Sequence, residues 1–350
     1  MVDRILFIIN TTSATGHSHA LIKRLCTSLR NGINGRTELQ IDIVASYLEI
    51  QAKTHAFLDN GDSSVAIIAG GGSGTLNTAI EAICENCEPG ILPGRERVRV
   101  ATLRMGSGNL LAKQFGIQRD PEAGLQDIIV NIHKDRTVPC CVMRFEVDNN
   151  DPAPVIRHAV TLAGFGQFGR IPGDLALWHR RFPRLRTLIA QIFGVERLTP
   201  FEYGLALLIR SIWCALFPKN VEVVDVCSNA GNESTRMLAG AVVNFPFDAL
   251  PFDPNVSAEA SQLSFNVVPY KGRFDALLMA ISPRRLGTKV GQMYISEKEC
   301  VEIRLTDSRP SEFFQDENPM VFRKKIRIRV AGTLAFVPGP VYPSLINKEV

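Results

Sequence analysis

The sequence predicts an α/β domain followed by a β-rich domain, and three observations support this architecture. Short apolar, β-branched runs alternate with stretches of helical spacing through residues 4–134. After about residue 135, β-type runs follow one another between turn residues. Glycine-rich turns also stand directly after two of the early apolar runs. We therefore expect a first domain over residues 1–134, a β-rich domain over 135–325, and a carboxyl-terminal segment over 326–350 that packs back on the first domain.

The elements of the first part alternate strictly between strand and helix. The apolar runs predict strands over residues 4–10, 39–46, 64–70 and 98–105. The helical patterns between and after them cover residues 19–32, 49–61, 75–86, 109–116 and 121–134. Such alternation with short loops predicts a parallel sheet with helices on both faces. Ligands of such sheets bind at the carboxyl ends of the strands.

The second part is dominated by β-type runs. They predict strands over residues 137–147, 156–166, 221–227, 235–245, 263–270, 274–281, 300–307 and 324–337. Residues 174–217 have helical spacing and interrupt this series. Because runs of strands follow one another, we expect an antiparallel sandwich.

The bulk composition is that of an ordinary globular protein. The 350 residues are 45% hydrophobic and 21% charged, with a net charge of +4. This mild charge fits an anionic ligand but not a dedicated nucleic-acid-binding protein, so we expect no nucleic-acid partner. The sequence contains no run of 18 apolar residues, so we expect no membrane span. The first residues do not resemble a signal peptide. The eight scattered cysteines favour reduced thiols and a cytoplasmic location.

The first glycine turn has the composition of a phosphate-binding loop. Gly70–Gly74 lies between a predicted strand and a predicted helix, where backbone N–H groups favour anions. The alternative is a plain tight turn, although three consecutive glycines followed by Ser-Gly-Thr exceed what a turn needs. No Lys-Ser/Thr pair follows, so the turn is not a Walker A loop. A dehydrogenase would carry its glycines after the first strand, where this chain has Asn10–Gly16.

A second turn of the same kind follows about thirty residues later. Arg104–Lys113 comprises a strand end, the turn Gly106-Ser107-Gly108-Asn109 and a helix start. Two such turns in adjacent strand–helix units predict a site for a polyphosphate that both turns contact. Arg104 and Lys113 are candidate phosphate contacts, with surface charge as the alternative.

Three motifs in order resemble the diacylglycerol kinase catalytic domain family. They are Asn10-Thr11-Thr12-Ser13, Gly71-Gly72-Ser73-Gly74-Thr75-Leu76-Asn77-Thr78, and Gly106-Ser107-Gly108-Asn109-Leu110-Leu111-Ala112-Lys113. The family includes bacterial lipid kinases and the sphingosine and ceramide kinases, with NAD kinases as distant relatives. Residues 161–169 and 314–319 are similar to later segments of the family, so the resemblance spans the whole chain.

The resemblance implies an NAD kinase/diacylglycerol kinase-like nucleotide-binding domain and a β-sandwich lipid domain. The expected activity is transfer of the γ-phosphate of ATP to a lipid hydroxyl, with Mg²⁺ as cofactor. The family's nucleotide contacts map to Asn10, Thr12, Ser13, Ser46, Gly71, Gly72, Ser73, Gly74, Thr75, Asn77, Gly106, Ser107, Gly108 and Asn109. Glu317 is the expected base, with Asp316 as a second catalytic candidate; the alternative is a solvated loop carboxylate.

Acidic positions of the family are replaced throughout the chain. Ser73, Leu110 and Lys271 stand where the family carries carboxylates, so the metal ligands are left unassigned. These replacements favour a second hypothesis, a catalytically impaired homologue that acts as a nucleotide- or lipid-binding regulatory protein.

Residues 178–194 combine aromatic and basic side chains. This composition suits the surface of an anionic membrane, so peripheral membrane contact is expected beside the lipid substrate. The alternative is an amphipathic helix with a solvated basic face. The sequence assigns neither the lipid nor an oligomeric state.

Overall fold

The fold is described from a computed structural model. It describes residues 2–13, 18–33, 35–59, 63–87, 92, 97–106, 108–149, 151–193, 195–229, 231–245, 260–281, 291–307, 309–316, 318–340 and 342. The chain divides into two compact units. The first, here the amino-terminal unit, comprises Met1–Cys140 and Gly332–Val350, and the second unit comprises Cys141–Ala331.

The amino-terminal unit contains a parallel sheet with strand order β4-β3-β1-β2. Its strands are β1 (Arg4–Asn10), β2 (Glu38–Val44), β3 (Val65–Gly71) and β4 (Val98–Arg104). Its helices are α1 (His19–Gly32), α2 (Tyr47–Leu58), α3 (Ser73–Glu85), α4 (Leu110–Gln114) and α5 (Pro121–His133). Near the carboxyl end of the chain, Ala335 and Phe336 add a further parallel pairing to β4, opposite Arg99 and Val100. The predicted alternation of strand and helix is confirmed.

Burial explains why these segments adopt their structures. Every residue of β1 and β3 is buried, as expected for inner strands covered on both faces. In α1 the buried positions are Ile22, Leu25, Cys26 and Leu29, which follow the spacing of one helix face. Ser18 begins α1 by accepting a hydrogen bond from the backbone N–H of Leu21. The helix therefore buries one face in the core that contains Phe7 and Ile68.

The second unit is β-rich, and the strand pairings described within it are antiparallel; β5 begins and β15 ends in the amino-terminal unit. Its strands are β5 (Val138–Asp148), β6 (Val155–Ala159), β7 (Leu162–Phe165), β8 (Glu222–Ser228), β9 (Gly231–Val243), β10 (Gln262–Pro269), β11 (Gly291–Ser296), β12 (Cys300–Leu305), β13 (Ser311–Gln315), β14 (Asn318–Phe322) and β15 (Lys325–Phe336). Its helices are α6 (Gly166–Gly169), α7 (Ile171–Arg181), α8 (Pro183–Phe193), α9 (Val195–Leu216) and α10 (Arg273–Ile281). Phe165 and Phe313 stack at 5.7 Å in its core.

One predicted strand is wrong. Residues 274–281 form most of helix α10. Their apolar residues also fit helical spacing, and a short apolar run does not distinguish a strand from a helix. The predicted helical region over 174–217 is confirmed as α7, α8 and α9. Within the described part of the chain, no helix combines the length and apolar character that crossing a membrane requires.

Candidate functional site

Three neighbouring strands of the amino-terminal unit end at the same edge of the sheet. β3 lies between β1 and β4, and all three run parallel. In this register Ile9 lies opposite Gly70, and Gly71 lies opposite Arg104. The two glycine turns and the segment after Asn10 therefore leave the sheet side by side, as the sequence predicts.

Asn10 links the end of β1 to the start of α3. Its side-chain amide donates a hydrogen bond to Thr75 Oγ1 at 3.0 Å. Its Oδ1 accepts hydrogen bonds from the backbone N–H and the hydroxyl of Thr12, at 3.0 and 2.7 Å. The Ser13 hydroxyl donates to the Asn10 carbonyl at 2.9 Å. Four of the predicted nucleotide contacts therefore form one hydrogen-bonded group.

The first glycine turn leads directly into helix α3. Gly72 precedes the helix, no side chain caps it, and its first turn carries no acidic residue among these described positions. A Cβ atom on Gly71 would collide with the Thr75 side chain, so this position has no room for another residue. Backbone N–H groups at the start of a helix carry partial positive charge. The start of α3 is therefore suited to an anion.

The two glycine turns touch each other. A Cβ atom on Gly106 would collide with the Cα atom of Gly72. Asn109 closes the second turn, because its Oδ1 accepts from the Gly106 N–H at 2.8 Å and its Nδ2 donates to the Gly106 carbonyl at 2.5 Å. The φ angle of Asn109 is 51°, in the left-handed region that asparagine tolerates. Backbone from both turns thus meets at one place.

Tyr47 lies beside the first glycine turn and was missed from the sequence. A Cβ atom on Gly74 would lie 2.5 Å from the Tyr47 hydroxyl oxygen. Ser46, the predicted contact on this segment, instead caps α2 by accepting from the Glu49 N–H at 3.3 Å. Glu49 in turn accepts at 2.8 Å from the N–H of Ala45, the residue before the cap, an arrangement close to a capping box. The Ser-x-x-Glu pattern identifies this cap, and Tyr47 follows it as the first helical residue.

The other predicted contacts of this unit lie in or beside the two turns. Asn77 is buried in α3, and Gly108 is partly buried before α4. Arg104 is partly buried at the end of β4, whereas Lys113 is exposed on α4. Ser107 lies outside the described residues.

The oxygen atoms available at the turns do not match those of a metal site built on carboxylates. Residues 10–18, 70–80 and 104–118 contain no Asp or Glu. The side-chain oxygens that the structure brings together, on Asn10, Thr12 and Thr75, are neutral. No group of three or more His, Cys, Asp or Glu side chains is placed to hold a metal among the described residues. The turns therefore do not fit a Mg²⁺ ion held by the protein's own carboxylates.

Asp316 occupies a buried position in the second unit. Its carboxylate accepts hydrogen bonds from the backbone N–H groups of Val160, Thr161 and Leu162, at 2.8, 2.9 and 3.1 Å, and from the Thr161 hydroxyl. Burial raises the pKa of this carboxyl group, while these hydrogen bonds oppose the rise. Such contacts are those of a structural carboxylate. The predicted catalytic role of Asp316 stays a prediction, and Glu317 lies outside the described residues.

The comparison with protein families agrees with the resemblance that the sequence motifs indicate. The model of the diacylglycerol kinase catalytic domain matches residues 4–140. The matched stretch contains both glycine turns and Tyr47. The comparison with curated proteins gives no match.

Solved structures with the same fold come from two kinds of kinase. A diacylglycerol kinase from Bacillus anthracis (strain Sterne) is 14% identical, with a TM-score of 0.59 over 97% of this chain and 98% of that one. Yeast NADH kinase in complex with NADH is 8% identical, with a TM-score of 0.56 over 99% of this chain and 87% of that one. At these identities the likeness shows the fold. Residues 4–140 thus match the diacylglycerol kinase catalytic domain, as the motifs indicate, and the chain has the fold shared by the diacylglycerol kinase and NADH kinase structures.

Proposed function

We propose that the chain is an ATP-dependent lipid kinase of the diacylglycerol or sphingoid type. One observation carries this proposal: the contact between Gly72 and Gly106 brings two glycine turns together beside the start of α3. A polyphosphate bound there would meet backbone N–H groups from both turns and the positive end of the helix. The match to the diacylglycerol kinase catalytic domain supports ATP as the phosphate donor and a lipid hydroxyl as the acceptor.

The residues of the amino-terminal unit have separate roles in this proposal. Gly71, Gly74 and Gly106 let the backbone of the turns pack closely, because a side chain at each would meet a neighbouring group of the protein. Asn10 and Thr75 hold the ends of β1 and α3 together. These groups bind and orient the nucleotide, and orientation is a main part of phosphoryl transfer.

The second unit is proposed to hold the lipid, with Glu317 as the base that accepts the proton of the attacking hydroxyl. When bound, Mg²⁺ would neutralise charge on the phosphates. Because the turns lack carboxylates, we assign no residue to the metal. Peripheral membrane contact is part of the proposal, since a lipid substrate resides in a membrane.

Ser73, Leu110 and Lys271 favour a second candidate function. A homologue that keeps the glycine turns and lacks the acids would bind a nucleotide or a lipid without transferring phosphate, and would act as a regulatory protein. The kinase requires nucleotide binding at the turns, as does a regulatory protein that acts through a bound nucleotide, and these two differ in turnover.

Two measurements test these proposals. Isothermal titration calorimetry with ATP and ADP, with and without Mg²⁺, tests binding. Wild-type protein that binds neither nucleotide would overturn the kinase and any regulatory role that depends on a bound nucleotide. Radiolabelled ATP with diacylglycerol, sphingosine and ceramide in mixed micelles then tests turnover. Phosphorylation of any of these lipids supports the kinase, provided that a Glu317→Gln variant loses it. Binding without phosphorylation supports the regulatory protein.

A further inference from the structure

Helix α9 of the second unit exposes a row of large apolar side chains. The row consists of Ile209, Ile212, Trp213 and Leu216, whose exposed fractions are 45%, 42%, 48% and 61%. Their spacing places them on one face of the helix. Phe217 extends the row, with its ring 4.3 Å from that of Trp213. The opposite face of α9 is buried and includes Leu207, Ser211 and Cys214.

Helix α10 packs against α9 and exposes a second apolar row. Phe274, Leu277 and Ile281 are 71%, 40% and 80% exposed. They too follow the spacing of one helix face, whereas Ala276 and Met279 are buried. We call the exposed rows of α9 and α10 together the apolar helix face. Clustered apolar side chains on helices that pack together mark an interaction surface, unlike single exposed apolar residues.

Exposed cations lie beside both apolar rows. Lys219 follows Phe217 at the end of the α9 row, and Lys271 and Arg273 precede Phe274 at the start of the α10 row; all three are exposed. Asp275, the acid in the first turn of α10, is buried and accepts a hydrogen bond from the Lys271 N–H at 3.0 Å.

We propose that the apolar helix face docks on a membrane that contains anionic lipids. Apolar side chains would enter the boundary between headgroups and acyl chains, and the surrounding cations would lie at the anionic headgroups. Trp213, Phe217 and Phe274 supply the aromatic rings that favour this boundary. The face therefore carries both signals that stable peripheral binding requires, apolar area and positive charge.

The same charge argues against a second copy of the chain as the occupant. Two copies meeting through this face would bring the exposed Lys219, Lys271 and Arg273 of one copy towards those of the other. Like charges facing each other across an interface are unfavourable. The negative charge of an anionic membrane complements the positive charge beside this face, whereas the same face of a second copy would be repelled.

This inference deepens the proposed function and rests on it, because docking would bring the chain to its lipid substrate. It also extends the expected contact: the sequence indicates residues 178–194, where Phe182, Leu188 and Ile192 are exposed, and the apolar helix face adds α9 and α10. Its test contains no nucleotide and no turnover. Failure of docking is thus distinguishable from failure of the kinase proposal.

The first experiment measures co-sedimentation of the full chain with vesicles. The vesicles contain either phosphatidylcholine alone or phosphatidylcholine mixed with phosphatidylglycerol. We expect binding to the mixed vesicles that weakens as salt is added. The double variant Ile212→Asp/Phe274→Asp should lose at least about tenfold in affinity, because two apolar contacts are removed and two negative charges are added. The matched control is Val130→Asp, which replaces a 47% exposed apolar residue on α5 and should bind as the wild type does.

The second experiment needs no disruptive variant. The chain has two tryptophans, Trp178 and Trp213, so Trp178→Phe leaves Trp213 as the sole tryptophan reporter. Its emission should shift to shorter wavelength on mixed vesicles and stay unchanged on phosphatidylcholine alone. Brominated acyl chains should quench this emission.

Three results would overturn the proposal. They are wild-type protein that does not bind mixed vesicles, binding that Ile212→Asp/Phe274→Asp leaves unchanged, and Trp213 emission that mixed vesicles do not alter. A concentration-dependent dimer in analytical ultracentrifugation, abolished by the same double variant, would assign the face to a second copy instead.

Discussion

The backbone of Gly106 lies against that of Gly72, so that a Cβ atom on Gly106 would overlap the Gly72 Cα atom. Gly106→Ala must therefore push the two turns apart. We expect at least a tenfold loss of ATP affinity by calorimetry and a destabilisation of about 1–3 kcal/mol in urea unfolding. Gly204→Ala is the control, because nothing lies within 4 Å of its Cβ position in α9. It should be neutral or stabilise by up to about 1 kcal/mol. Equal behaviour of the two variants would contradict the proposed site.

Tyr47 is placed to donate a hydrogen bond to a phosphate at the start of α3. Tyr47→Phe removes only the hydroxyl, and a hydrogen bond to a charged group contributes about 1.5–3 kcal/mol. We expect ATP and ADP affinities to fall by roughly 10- to 150-fold with little change in the urea midpoint. Tyr294→Phe, which removes an exposed hydroxyl in the second unit, should leave both affinities unchanged. Wild-type affinity in Tyr47→Phe would remove Tyr47 from the site.

The hydrogen bond between Asn10 and Thr75 can be measured by a double-mutant cycle. Asn10→Ala and Thr75→Ala should each lower stability and weaken ATP binding, because both loosen the start of α3. Since the two side chains share one bond, the double variant should lose less than the sum of the single variants, by about 1 kcal/mol. Urea unfolding gives the stability cycle and calorimetry gives the binding cycle. Strict additivity would show that the contact does not couple the two segments.

Ser73→Asp restores a carboxylate at a position where the family carries one. In the free protein an acid in the first turn of α3 should stabilise by about 0.3–1 kcal/mol, because it faces the positive end of the helix. The same charge should weaken ATP binding without Mg²⁺, and adding Mg²⁺ should recover the affinity. Thermal unfolding and calorimetry with and without Mg²⁺ measure these effects. Ser73→Asn, similar in shape and uncharged, should show neither.

Burial raises the pKa of Cys141 to about 12 and that of Cys214 to about 11. Both thiols should resist iodoacetamide at pH 8 in the native protein, whereas the partly exposed Cys227 and Cys300 should react first. Because burial holds the folded pKa of Cys141 above the ordinary thiol value of 9.0, the folded state keeps its proton to higher pH than the unfolded state. The free energy of unfolding should therefore fall as the pH rises from about 9 towards 12. Mass spectrometry locates the label, and rapid alkylation of native Cys141 would contradict this picture.

The elements of the amino-terminal unit could be predicted because each carries a strong local signal. β1 and β3 are short apolar runs that end in polar or glycine turns, and α1 combines a Ser18 cap with helical spacing. The helix over 274–281 could not be distinguished from a strand, because the run is short and apolar. Its identity depends on packing against α9, which local sequence does not report.

From the sequence, the candidate site could be predicted mainly where backbone groups of the glycine turns form it. The glycine turns are recognisable from their composition, and Asn10 from its place at the end of the first apolar run. Tyr47 carries no such signal, because only the fold brings its hydroxyl to Gly74. The sequence indicates Ser46 on this segment, and its side chain is engaged in the cap of α2. Short-range patterns therefore find the turns, and tertiary structure determines which side chains surround them.

Asn109 holds both polar groups of Gly106 through its own side chain. The backbone of Gly106 is consequently held at both of its polar groups in the free protein. If a nucleotide binds at the turns as we propose, Gly106 has little conformational entropy left to lose on association. Replacing Asn109 would leave the Gly106 N–H present, yet the Gly106 backbone would sample more arrangements in the free protein and the nucleotide would bind less tightly.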